Sequence, residues 1–234
     1  MNLFFLQVLI DSAKIKDSLV RLGLAAGQSK ESLWDILIKG GPLMIPLAIL
    51  LVLTIFFFIE RVIAIKKASR LDDNFMSIIR DHIVSGNVTA ARSLTKNTDT
   101  ATAKMIDKGI QRIGKPIDAI ERSMENVGKL ELYKMEKNTS ILSIIGYIAP
   151  LFGFLGTIAG MFQLFYTLAS TGDYSLATIA GGIYVKMISS ASGLIIGILA
   201  YVCYRYLISQ IDKSTNKMEV ASAEFIDILQ EPTR

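Results

Sequence analysis

Four of the polar side chains in two largely apolar stretches could do chemistry. Thr157 lies in PLFGFLGTIAGMF (150–162), and Lys186, Ser189 and Ser190 lie in GIYVKMISSASGLIIG (182–197). Hydroxyls donate and accept hydrogen bonds but do not titrate near neutral pH, so they can line a path for a proton without holding its charge. Bland roles are open to the same groups: a hydroxyl can bond back to its own helix, and glycines can serve close packing alone. Lys186 is a charge inside an apolar run, which costs about 2.5–3.5 kcal/mol on insertion scales. Either its stem snorkels to an interface two to three turns away, or the ammonium pairs with or tunes a carboxylate. The three apolar runs contain neither Asp nor Glu. If this chain helps protons to cross a membrane, the acid that carries them belongs to another subunit.

The elements that must hold these groups are helices with small-residue faces. Gly146, Ala149, Gly153, Gly156 and Gly160 recur every three or four residues, and Thr157 sits beside that stripe. Gly182, Lys186, Ser189, Ser190, Gly193 and Gly197 share a face by the same spacing. Such stripes let two membrane helices approach closely. An all-α membrane protein with three transmembrane helices, at 40–60, 138–170 and 177–204, follows from three apolar runs, the first uncharged from Gly40 to Ile59 and the last interrupted only by Lys186. Residues 171–176 form a short loop with Asp173 and no base, whereas Lys66, Lys67, Arg70, Arg205, Lys213 and Lys217 follow the first and third spans. That bias puts the loop in the periplasm, the basic ends and the C-terminus in the cytoplasm, and the N-terminus outside. The bases of the first 39 residues weaken the rule there.

Residues 61–137 then read as a cytoplasmic helical domain. Asp72-Asp73 open a helix that Gly86 stops, Asn87 opens a second to about Lys96, and Thr98-Asp99 open a third that Gly114 ends. From Pro116 no breaker is visible before Gly146, so the second membrane helix is expected to extend into that domain. Residues 205–234 continue the third, with Leu207, Ile211, Ser214, Met218, Ala221, Phe225 and Ile228 near a 3.5 spacing. Residues 1–39 read as a periplasmic amphipathic segment able to lie on lipid, and Trp34 as an interfacial anchor. The signal-peptide pattern of MNLFFLQVLI is incomplete, since no base precedes it.

The composition agrees. The chain has 234 residues with mean hydropathy +0.44, and its net charge of +4 speaks to topology rather than to nucleic acid. One cysteine, Cys203, excludes an intrachain disulfide framework, and one histidine, His82, argues against a histidine-rich metal site. No nucleophile–base pair, metal-ligand cluster or phosphate loop is present, so no enzyme and no cofactor is expected beyond protons as coupling ion. Cys203 and Glu60-Arg61 read as packing and a local ion pair.

The stretches APLFGFLGTIAGMFQLF (149–165) and GIYVKMISSASGLIIGILAYVCY (182–204), with their GxLGTxxGM core, resemble the ExbB/TolQ/MotA proton-channel family, and within it ExbB-like subunits of the Bacteroidetes type. The resemblance covers nearly the whole chain after Ser32. It implies a homopentamer in the inner membrane whose second and third helices surround ExbD-like single-span subunits, each with one membrane Asp. It implies protonation of that Asp driving rotation, and a TonB-like protein receiving the work. On matching positions Thr157 and Ser190 would be pore hydroxyls, with Ser189 a neighbour. Ser190 stands where the family usually has Thr, Val185 where Glu or Gln is frequent, and Leu199 where one branch has Pro, while Lys186 is unusual. The alternatives are a non-conducting assembly scaffold, or the equivalent subunit of a Tol-type envelope or gliding system.

Overall fold

The computed structural model describes residues 42–70, 74–172 and 175–230. The expectations for residues 1–39, Trp34 and Asp72-Asp73 lie outside the described residues. Everything regular among them is helical: α1 (Met44–Ser69), α2 (Phe75–Val84), α3 (Val88–Asn97), α4 (Ala101–Ile110), α5 (Ile117–Glu136), α6 (Thr139–Thr171) and α7 (Leu176–Gln230). Three apolar stretches, in α1, α6 and α7, are long enough to cross a membrane.

The helix boundaries follow local chemistry. Asn87 caps α3 by accepting from the Ala90 N–H at 3.1 Å, and Thr100 caps α4 by accepting from Ala103. Gly86 (φ +76) and Gly114 (φ +90) take the left-handed conformation that ends the helices before them.

One expectation fails. The helix from Pro116 does not run unbroken to Gly146, because Lys137 turns extended (φ −50, ψ 133) and Asn138 is left-handed at φ 65. Asparagine is among the few non-glycine residues that tolerate this region. The carbonyls orphaned by the break are taken up by Arg61, only 6% exposed, whose Nη1 donates to Lys137 O at 2.8 Å and Lys134 O at 3.3 Å. Glu60 completes the clamp by accepting from Arg61 Nε at 2.7 Å and by pairing with Nη2. A local ion pair thus becomes the staple between α1 and the α5–α6 corner. Arg61→Ala should cost about 1–3 kcal/mol by leaving buried acceptors unsatisfied. Arg61→Lys should rescue little, since one ammonium cannot fork to Glu60 while bonding two carbonyls. Thermal unfolding in detergent, with amide exchange over 134–142, checks both.

Outside the spans, α2, α4 and α5 pack on the distal half of α7 around a core of Ile79, Ile106, Met124, Leu207, Ile211 and Phe225, and α3 packs on α2 and α4. The stripe along residues 205–230 is the buried seam of α7. Gly109 sits beneath it: a Cβ there would lie 2.6 Å from both Met124 Sδ and Phe225 Cε1. On the surface of this domain Asp99 pairs with Lys104 at 2.7 Å and Lys67 at 3.1 Å. The hydrogen bonds from Lys104 and Lys67 hold its carboxyl down at about 2. A depressed acid stabilises above its unfolded value and loses that contribution as pH falls through the folded one, so this link is intact at neutral pH and is lost between about pH 4 and 2.

Candidate ion-path site

The two small-residue stripes meet each other within one chain. A Cβ on Gly153 would lie 3.0 Å from Ser189 O and 3.1 Å from the Cα atoms of Ser190 and Gly193. One on Gly193 would lie 2.6 Å from Ala149 O, and one on Gly197 would strike the Pro150 ring at 2.5 Å. One on Gly146 would reach Tyr201 at 3.4 Å. Backbone therefore touches backbone along α6 and α7, and Gly197 leaves room for the proline inside α6. Gly156 accommodates the Ser189 hydroxyl, 2.7 Å from where its Cβ would be. Gly160 accommodates the methylene stem of Lys186, whose Cγ, Cδ and Cε would all collide with a side chain there.

Two hydroxyls converge on one carbonyl. Thr157 Oγ1 donates to Lys186 O at 3.3 Å and Ser189 Oγ donates to the same oxygen at 3.0 Å. Thr157 also lies 3.4 Å from Gly153 O, four residues back. Both Thr157 bonds are long, so its own chain holds the hydroxyl loosely.

The neighbours Ser189 and Ser190 have different surroundings. At about 100° per residue, Thr157 lies about 40° to one side of the Gly153 direction, and Gly156 and Ile145 lie about 60–80° to the other. On α7, Ser190 lies about 60° to one side of Gly193, and Ser189 and Ile196 about 40–60° to the other. The two helices are antiparallel and both right-handed, so equal senses of rotation point to the same flank of the pair. Thr157 and Ser190 share one flank, about one turn apart, and Ser189 belongs to the opposite one. The α1 helix covers that opposite flank: Leu47 packs with Ile145, Ala149, Ile196 and Ala200, and Leu43 Cδ1 is 3.5 Å from a Cβ position on Gly156. Burial matches, with Ser189 only 2% exposed and Thr157 and Ser190 half-buried.

The flank with Thr157 and Ser190 is left uncovered by α1. Around the hydroxyls it presents Tyr147, Phe154, Met187 and Leu194, all exposed. Sequence reasoning passed over these apolar neighbours because nothing in residue type separates a lipid-facing Phe from one facing a protein. A wall of this kind can pass hydrogen bonds to a polar group on an apolar helix, but it supplies no carboxylate: α6 carries neither Asp nor Glu, and α1 neither from Met44 to Ile59. Among the described residues no cluster of His, Cys, Asp and Glu is placed to hold a metal ion.

Comparison with known proteins points the same way. The profile of the MotA/TolQ/ExbB proton channel family matches residues 97–220. An ExbB homolog of Methanothermobacter thermautotrophicus is 25% identical over 69% of this chain and 58% of its own length. An ExbB-like protein of Synechocystis sp. is 27% identical over 76% of this chain and 71% of its own length. The Tol-Pal system protein TolQ of Pseudomonas aeruginosa is 28% identical over 48% of this chain and 49% of its own. The chain thus spans little more than half of the first of these relatives and about half of the last.

Proposed function

The chain belongs to the MotA/TolQ/ExbB proton channel family, and we propose that it is the ring-forming subunit of an inner-membrane motor driven by proton motive force. In this reading several copies, five by the family resemblance, place the Thr157–Ser190 flank around a central ExbD-like helix. A carboxylate on that helix takes up and releases the proton, and the hydroxyls guide it while the charge stays on the guest. The basic ends after Ile59 and Tyr204 lie in the cytoplasm, the loop at Gly172 in the periplasm. The work passes to a TonB-like protein for outer-membrane transport.

The observation that carries this reading is the division of labour on the α6–α7 pair. One flank is buried under α1, while the other keeps the loosely held Thr157 hydroxyl and the half-buried Ser190 in an apolar wall. The TolQ match favours a second reading, the same motor serving envelope maintenance. Deletion separates the two: loss of siderophore uptake with an intact envelope favours the first, and detergent sensitivity with normal uptake the second.

The motor itself is tested by reconstitution. The chain is purified alone and with an ExbD-like single-span protein of the same organism, and proton entry into vesicles is followed with a pH-sensitive dye. Flux is expected only with the partner, and only while its membrane carboxylate is intact. Equal flux without the partner, or none with it, would leave a packing scaffold as the better description.

A further inference from the structure

Lys186 stands inside the apolar run of α7 rather than at its end. It lies ten residues into α7, and its stem rests on Gly160, eleven residues before the end of α6 at Thr171. Each separation is about 15–17 Å at 1.5 Å per residue. A lysine side chain reaches roughly 6 Å, and in a helix it leans towards the N-terminus, here the Gly172 end. The ammonium therefore stops on the order of 10 Å short of the helix ends.

The site is shaped for this residue. Gly160 supplies the slot for its methylenes, and the Lys186 carbonyl collects the Thr157 and Ser189 hydroxyls. Among the described residues no counter-charge lies on the helices packed around it. The α6 helix that carries the slot has no ionisable side chain other than Tyr147 and Tyr166, and α1 offers none before Glu60, near its opposite end. On α7 the nearest charged residue is Arg205, nineteen positions on, and the nearest titratable one Tyr184. A cation within the apolar layer is stable only against a partner of opposite charge or water.

We propose that Lys186 is the electrostatic seat for a carboxylate carried by a second protein's membrane helix, held about one turn from Thr157 towards the Gly172 end. This rests on the motor reading and adds a positioning residue to it. The ammonium favours the ionised acid, so it sets the pH at which that acid takes up its proton. It also gives the guest helix a preferred depth, since only one level of the wall carries a charge.

The complex with its single-span partner, reconstituted in phosphatidylcholine vesicles, tests this by proton flux across a range of external pH. In Lys186→Gln and Lys186→Met the pH of half-maximal flux should rise by about one unit or more, while Lys186→Arg stays near wild type. An unshifted profile in both neutral variants would overturn the proposal. So would a profile that instead tracks added phosphatidylglycerol, the mark of a lysine paired with lipid phosphate. A double-mutant cycle on the melting temperature of the complex, crossing Lys186→Met with neutralisation of the partner's carboxylate, needs no flux at all. Strong coupling between the two changes is expected, and additive effects would refute the pair. If wild-type complexes conduct nothing, the cycle still decides this point separately from the motor reading.

Discussion

In Thr157→Val complexes proton flux should fall at least about tenfold while assembly and melting temperature stay close to wild type. Valine keeps the shape and removes the hydroxyl. Within its own chain that hydroxyl makes two long contacts, 3.3 Å to Lys186 O and 3.4 Å to Gly153 O, on helix C-terminal-facing carbonyls rather than on orphaned groups. Its loss therefore costs little stability. A hydrogen bond to a charged group is worth about 1.5–3 kcal/mol, and each 1.4 kcal/mol in a barrier is tenfold in rate. A hydroxyl that serves a transient charge and little else thus loses function without losing the fold. Thr157→Ser should retain most of the flux, and Ser190→Ala should show a smaller defect of the same kind. A melting temperature that collapses with the flux would instead assign Thr157 to packing.

The reverse pattern is expected at Gly193. An added Cβ would meet Ala149 O at 2.6 Å and Gly153 Cα at 2.8 Å, which are backbone atoms unable to rotate aside. The α6 and α7 helices must separate to admit even a methyl group, at a cost of about 1–3 kcal/mol, and more for valine. Gly193→Ala should lower the melting temperature by several degrees and reduce recovery of the assembled complex, and Gly193→Val should abolish it. Gly181 is the control, because a Cβ there meets nothing within 4 Å. Gly181→Ala should leave stability unchanged or improve it slightly, since alanine is the better helix former.

The contrast between Thr157 and Gly193 shows what the residues disclose by themselves. Three spans and two glycine faces follow from hydropathy and spacing, because lipid solvation and backbone approach impose them on composition. Gly86, Gly114 and Gly172 mark chain reversals that any reader of turn chemistry would place. Asn138 does not announce itself: asparagine is common inside and outside helices, and its left-handed turn depends on Arg61, seventy-seven positions away, to satisfy the carbonyls. The different environments of Ser189 and Ser190 were equally hidden. Spacing places both near one face of α7, and only the position of Leu47 and Leu43 on one flank separates a buried serine from an open one. The Lys186 slot was half legible. The sequence displays a costly charge, but that Gly160 makes room for it is a fact of helix register between α6 and α7.

Directed cross-linking tests the exposed hydroxyl flank most simply, since Cys203 is the chain's one native thiol and can be replaced by serine. Thr157→Cys and Ser190→Cys, each paired with a cysteine at the partner's membrane carboxylate, should form disulfides in native membranes. Leu155→Cys and Ile195→Cys, at positions 52% and 66% exposed on the outer faces of α6 and α7, should not. Cross-links from positions 155 and 195 with none from 157 and 190 would turn the hydroxyls towards lipid and contradict the arrangement.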